Sequence, residues 1–597
     1  MQIGQHFKSR LTSVGWQVLG IAMTVALGAC GADDSPSAAS PPLASSGGAA
    51  PFAWPADRAV ADQNHYAAHQ DPDAMNSVAY RNGPNGGPGD ADAAIVNASL
   101  PLAAIDETPA VKHHSVTVNG QTIQYTATAG HLVAWAPTDP ANPAARDARA
   151  SMFYMAYTRD DVPHGQRPVT FVFNGGPGEP SIWMHLGAWG PKRLDANAPS
   201  LPSGPDMPDS FPLVDDTQTL LDQTDLVYID IVGSGFSEAI SPHRNADFWN
   251  TDDDAAVFRD FVTAYINRYN RQSSPKYLMG ESYAGIRTPV LADLLVKAGT
   301  SQYAPDPSGA RPVVLTGMIL QSPVLDYGDL STAGDQRRGI LPTIGMVVDY
   351  YGKSTAPGHE SEPGYASFLR DFSSTQYAAG LAANGFPAPT LSTLSAVTGL
   401  PAGSNPNWLG ILGFSSIANA IYPNLPDAAF DDYDGRISKP QKTNYSISFY
   451  EDAGFFGAIK PLLADEFGYR NRDQAQIYGS DIAADYWNWQ HLHRGSSNPS
   501  SVPDLVETLT LDPSVKVLVF HGYDDSVTPF YQTELDLSYM GLWPPAPNQA
   551  SRISIKDYDG GHMAYLTNAS RDAMRADLRA FYASQGTASS RQLKTAG

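Results

Sequence analysis

The sequence predicts an α/β protein with a mostly parallel central sheet, helices packed on it and a helical cap inserted into it. Short apolar runs alternate with helical periods, the rhythm of strands joined by crossover helices. A serine sits among small residues where one such run gives way to a helix, in Tyr277-Leu278-Met279-Gly280-Glu281-Ser282-Tyr283-Ala284-Gly285. The alternation lapses over residues 328–511, which are rich in Tyr, Pro, Gly and Asn, and resumes at residue 512.

Taken in order, Ser115 to Tyr125 alternates around Asn119-Gly120, a strong hairpin signal. Met152–Tyr157, Pro168–Phe173 and Asp225–Ile231 read as buried strands. Val257, Phe258, Phe261, Val262, Tyr265 and Ile266 recur at helical spacing behind Thr251, which with Asp252, Asp253 and Asp254 is expected to cap that helix. Val313–Leu320 reads as the strand after the serine segment. Helical pieces are expected around Tyr350 and Phe455 within the insertion. Val515–Phe520 and Arg552–Ile555 return to the sheet, and Ser570–Tyr582 closes the fold as a helix. The expected organisation is a signal peptide over 1–29, a tether and irregular arm over 30–110, the first part of the core over 111–327, the cap over 328–511 and the second part of the core over 512–597.

Composition bounds the function. The chain has 597 residues, is 42% hydrophobic and contains ten tryptophans, so it folds around a large core. Acids outnumber bases 61 to 38, and a net charge of −23 argues against nucleic acid and against general attraction to anionic membranes. Lys8 and Arg10 precede an apolar run, Val18 to Leu27, and then Leu27-Gly28-Ala29-Cys30. That is the layout of a signal peptide. Cys30, the single cysteine, falls where a bacterial lipobox has its lipidated residue; the resemblance implies cleavage before Cys30 and a lipid anchor, with an ordinary secretory signal as the alternative. Membrane attachment is expected by that anchor alone, placing the protein on the periplasmic side of a bacterial envelope or on the outer membrane. Asn85-Gly86-Gly87-Pro88-Gly89-Asp90 imitates a loop met below, but no apolar strand precedes it and it reads as coil.

The segment around Ser282 has the form of a nucleophile elbow, a tight strand-to-helix turn that lifts a hydroxyl out of a sheet. The peptide N–H of Tyr283 is then placed for an oxyanion. A serine nucleophile needs a base, and the base an orienting carboxylate. Beyond Ser282, His521 and His562 lie near strand ends; His562 sits in the glycine turn Asp559-Gly560-Gly561-His562-Met563, whereas His521 continues a strand and reads as structural. His491 and His493 lack an evident third metal ligand and read as solvated side chains. Asp524 and Asp525 are both placed for the carboxylate. Asn174-Gly175-Gly176-Pro177-Gly178, after a buried strand, exposes backbone N–H groups suited to an oxyanion hole. There is no P-loop, dinucleotide fingerprint or His-Glu-x-x-His motif.

Together with Gly190-Pro191, Asp230 through Ser237, Gly522-Tyr523-Asp524-Asp525 and Gly561-His562-Met563, these motifs resemble the serine carboxypeptidase family in its bacterial branch, over residues 111 to 583. The resemblance implies an α/β-hydrolase fold and no cofactor or metal. It implies Ser282 as nucleophile, His562 as base and acid, and Asp525 as the orienting carboxylate. It further implies Gly176 and Tyr283 as oxyanion donors, and Asn174 with a protonated Glu281 as the grip on a peptide's C-terminal carboxylate. Glu281 is expected to hold a proton because two carboxylates repel, which favours acidic pH.

Two departures stand out. Glu179-Pro180 replaces the family's Cys-Ser, and Ala188 falls where the family has a second carboxylate-binding glutamate. Arg287 offers a charged replacement, though a surface salt bridge is the expected use of that residue. The expected activity is hydrolysis of C-terminal peptide bonds through an acyl-serine. An esterase or acyltransferase, or a catalytically silent envelope binding protein, are the alternatives.

Overall fold

The computed structural model describes residues 54–64, 94–401, 429–439, 454–471 and 486–592, apart from a few loop positions (140–141, 143–144, 164, 166, 201–211, 456 and 548–549). Cys30, the leader and Asn85–Asp90 lie outside the described residues.

The sheet runs, by spatial order, Ile553–Tyr558, Lys516–Gly522, Gly317–Gln321, Lys276–Glu281, Val169–Phe173, Asp225–Ile229, Arg146–Arg159, Gln121–Pro137 and Ala110–Val118. The first six are parallel and the last three antiparallel. A two-residue strand, Glu238–Ala239, adds to Arg146–Arg159. The Asn119-Gly120 hairpin is present: Val118 pairs with Gln121, and both turn residues have positive φ, 51° and 77°.

Side chains of the parallel strands alternate between two apolar layers. Leu278, Phe171 and Phe173 enter one with Val257, Phe258 and Phe261 of the helix Thr251–Arg268. Tyr277, Met279 and Val172 enter the other with Met574, Leu578 and Phe581 of the helix Asn568–Gln592. Burial on both faces explains why these strands read as unbroken apolar runs. The helix Thr251–Arg268 is capped by Asn250, whose side chain accepts from the N–H groups of Asp252 and Asp253, rather than by Thr251. Val313 to Thr316 stay outside the strand that begins at Gly317.

Within the insertion, the helices Ala333–Tyr350, Glu362–Phe372 and Ala388–Thr398 share a smaller core with Tyr523, Phe530, Tyr531 and Leu535 of the body. The arm is tied down in part: Val60–Asp62 pairs with Tyr469–Asn471. Among the described residues no helix is long and apolar enough to cross a membrane.

Along the chain, Val169–Phe173 is followed by a strand on one side of it and then by Lys276–Glu281 on the other. The strand order reverses between those two, which opens a crevice beyond their C-terminal ends. The Asn174 loop, Ser282, Asp525 and His562 all follow C-terminal strand ends on that edge.

Candidate active site

Lys276–Glu281 is buried throughout, and Ser282 leaves it with φ +63°, a left-handed conformation that costs a serine energy. The helix Ala284–Ala298 begins two residues later. Neighbouring backbone fixes the turn: Ser282 N–H donates to Gln321 O at 3.0 Å, and Ser282 O accepts from Gly285 N at 2.8 Å and Val324 N at 3.0 Å. A Cβ at residue 285 would lie 2.3 Å from Val324 O, so the glycine this turn requires is Gly285, and Ala284 is tolerated beside it.

The residues expected as base and acid meet. His562 Nδ1 lies 2.8 Å from Asp525 Oδ2, and Asp525 Oδ1 accepts from the N–H groups of Val527 at 2.8 Å and Thr528 at 3.0 Å. The Thr528 hydroxyl donates to Asp525 Oδ2 and lies 3.1 Å from His562 Nδ1. Burial alone raises a carboxyl's pKa, but the imidazole and these donors outweigh it and hold Asp525 below the ordinary range. Burial opposes charge on His562 too; Asp525, with Glu281 behind it, overrides that and raises the ring above its ordinary value. An ionised Asp525 assigns the proton to Nδ1 and leaves Nε2 as the acceptor.

Ser282 and His562 hang from the same strand end. Gln321 O takes the Ser282 N–H, Gln321 Nε2 reaches His562 O at 3.4 Å, and Ser322 Oγ donates to His562 O at 2.7 Å. Among the described residues the Ser282 hydroxyl forms no hydrogen bond with the ring. Such bonds commonly tighten only when substrate arrives.

The Asn174 loop lies against the elbow. A Cβ on Gly175 would sit 2.5 Å from Tyr283 N and 3.0 Å from Ser282 Cβ, so only glycine permits this approach. Gly176 follows at φ +101°. Arg287 is not a surface residue. It is buried, donates Nη1 to Asn174 O and Nε to Asp254 Oδ2, each at 2.6 Å, and stacks over Phe258. It thereby ties the loop to the first turn of the helix Thr251–Arg268, and Asp254 is its ion-pair partner.

Glu281 is buried beside the elbow. Asn174 Nδ2 donates to Glu281 Oε2 at 2.7 Å, and Tyr565 OH donates to Oε2 at 2.9 Å and Oε1 at 3.1 Å. Its pKa is pushed up to about 7, chiefly by burial; His562, Tyr565 and Asn174 oppose the rise and Asp525 adds a little. Desolvation, rather than a second carboxylate, is therefore the main cause. Ala188 is buried, and its carbonyl accepts from Arg571 Nη2 at 2.7 Å.

The remaining candidates separate clearly. Asp524 faces Arg436, at 3.7 Å, and burial raises its pKa. His521 is fully buried, its pKa lowered to about 4 by burial, and it is held neutral in the core. His491 is buried rather than solvated, 3.6 Å from Asp252 and 3.8 Å from Asp504, whereas His493 is exposed.

Four contributors escaped the sequence reading. Thr528 stands three residues after Asp525, a spacing typical of side-chain turns that marks it in retrospect. Tyr565 stands one 3-10 turn after His562. Tyr433 and Arg436 come from the insertion, and no local pattern ties them to the site.

Residues 121–333 match the family model described as serine carboxypeptidase. That window holds the Asn174 loop, the Asp230 turn and Ser282, and it ends before Asp525 and His562. No curated protein matches the chain. Among solved structures, the prohormone-processing carboxypeptidase Kex1 from Saccharomyces cerevisiae is 16% identical, with 77% of this chain and 91% of that one covered and a TM-score of 0.47. A proline iminopeptidase from Mycobacterium smegmatis is 13% identical, covering 74% and 97%, with a TM-score of 0.31. A homoserine O-acetyltransferase from Staphylococcus aureus is 12% identical, covering 76% and 95%, with a TM-score of 0.32. The fold is that of an α/β hydrolase, and the chain is a serine hydrolase.

Proposed function

We propose that this enzyme is a serine carboxypeptidase that removes the C-terminal residue of a peptide. The observation that carries the reading is a buried Glu281, titrating near neutrality, next to the elbow serine and bonded to Asn174. An acid that gains its proton near pH 7 can donate a hydrogen bond to a substrate's free carboxylate without like-charge repulsion.

In this reading Ser282 Oγ attacks the scissile carbonyl while His562 Nε2 takes its proton. Asp525 stabilises the imidazolium through Nδ1–H. The N–H groups of Gly176 and Tyr283 receive the oxyanion. The intermediate collapses as His562 returns the proton to the departing amine, leaving an acyl-serine and a free C-terminal amino acid. Water, deprotonated by the same imidazole, then attacks the acyl carbon, and Ser282 leaves with the proton.

The test compares paired peptides, one with a free C-terminus and one amidated, at pH 5 and 7. Release of the terminal residue from the free acid but not from the amide supports the reading; equal turnover refutes it. The buried Ala188 favours a second reading, an esterase or acyltransferase on small acyl substrates, which equal turnover would support. The leader and Cys30 support a bacterial, lipid-anchored envelope enzyme; loss of detergent partitioning in Cys30→Ser is the expected result.

A further inference from the structure

Tyr565 is a buried residue of the turn that carries His562. Its ring fills the space above Gly187, where any Cβ would lie 2.7 Å from Tyr565 Cε2. Arg571 Nη1 donates to both Gly187 O, at 2.8 Å, and Tyr565 O, at 3.0 Å, so one guanidinium fastens the tyrosine to the turn that carries Ala188. Arg571 is itself anchored by Asp216 at 2.8 Å. The phenol is thus held in one place, and that place is against both oxygens of Glu281.

The direction of the Asn174 bond is fixed. Asn174 Oδ1 accepts from Met184 N at 3.1 Å, so Asn174 presents its NH₂ to Glu281 as a donor. With two donors facing one carboxyl, the arrangement favours the carboxylate. Oε2 receives both of the shorter bonds.

We propose that Tyr565 is a positioning residue that sets the ionisation of Glu281, and thereby the pH at which the subsite stops accepting a peptide's terminal carboxylate. The proposal rests on the carboxypeptidase reading for its substrate. The other groups facing Glu281 are Asn174 alongside it and the His562–Asp525 pair across from it. His562 and Asn174 favour the carboxylate as Tyr565 does, and Asp525 opposes it, so removing the phenol moves the balance in one direction, toward the protonated acid.

The test has two arms. A pH titration by infrared difference spectroscopy follows the protonated-carboxyl band of Glu281, identified by its loss in Glu281→Gln. The Tyr565→Phe variant keeps the ring above Gly187 and deletes one donor to a charged group, which should raise the midpoint by roughly one to two pH units. In the second arm, the pH at which KM for a free-acid peptide begins to climb should rise with it. An unmoved infrared midpoint overturns the proposal. So does a moved midpoint with an unmoved KM inflection, because Glu281 would then not be what meets the substrate. Wild-type enzyme indifferent to a free C-terminus would instead refute the carboxypeptidase reading, while the infrared arm still decides whether Tyr565 controls Glu281.

Discussion

The backbone N–H of His562 donates to the carbonyl of Tyr433 at 2.6 Å, so a residue of the insertion holds the proposed base in place. The Tyr433 ring also packs edge-on to the imidazole, with centroids 5.3 Å apart. The same segment grips the acid's loop: Asp432 O accepts from Ser526 N and Oγ, and Gly435 N donates to Asp524 O at 3.0 Å. Arg436 completes the clamp, pairing with Asp434 on its own segment and with Asp559 on the His562 turn, each at 2.6 Å. The insertion is therefore part of the machinery that keeps His562 opposite Asp525.

Arg436→Gln is expected to lower kcat more than it raises KM. Breaking a buried ion pair costs about 3–5 kcal/mol, so a lower melting temperature should accompany the kinetic loss. Steady-state kinetics on the fraction that melts cooperatively separates the two effects. Unchanged kcat per folded molecule would show that the clamp only stabilises.

Asp525→Asn replaces the acceptor that assigns the His562 tautomer. The expected loss in kcat is about ten-thousand-fold, with substrate binding largely kept. Asp524→Asn should spare the rate by comparison, since Asp524 faces Arg436. Parallel kcat measurements on the two variants check the assignment, and equal losses would overturn it.

Gly175→Ala drives a methyl into Tyr283 N and Glu281 O, at 2.5 and 2.6 Å. Either the loop or the elbow must move, and the oxyanion donors lose register. A loss of about 100- to 1,000-fold in kcat is expected, the usual effect of losing one such donor. Activity near the wild-type level would place the donors elsewhere.

The pH response carries two opposed groups. His562 must be neutral to act as base, and Asp525 raises its pKa, so turnover of an uncharged ester should climb as pH passes above histidine's ordinary range. Glu281 must be protonated to take a free carboxylate, and it loses its proton near pH 7. Free-acid peptides should therefore give a bell-shaped kcat/KM centred near neutrality, shifted from the acidic preference the sequence suggested. Stability follows the same sign: the folded value for Glu281 lies above the unfolded 4.5, so its contribution is full below pH 4.5 and is lost as pH rises through about 7. Glu281→Gln should flatten the dependence of melting temperature on pH across that window.

Much of the sheet and the elbow was legible because their causes are local. Val169–Phe173 and Lys276–Glu281 are mostly apolar and buried on both faces, and Ser282 needs small neighbours that the sequence displays. Asp525 could be chosen over Asp524 only by family resemblance, because adjacent residues on a turn point in directions that composition does not encode. Arg287 was misjudged because a charge on a helix usually faces water; here Asp254, one helix away, neutralises it in the core. Tyr433, Arg436 and Tyr565 were missed because their partners are set by how the insertion and the closing turn fold back over the sheet.

A fluorophosphonate probe, with the modified peptide located by mass spectrometry, tests most directly whether three distant segments form one acyl-transfer site. The account predicts adduct on Ser282 in the wild-type chain, none in Ser282→Ala, and labelling slowed severely in His562→Ala. Adduct formed at an undiminished rate in Ser282→Ala, or no adduct in the wild-type protein, would contradict it.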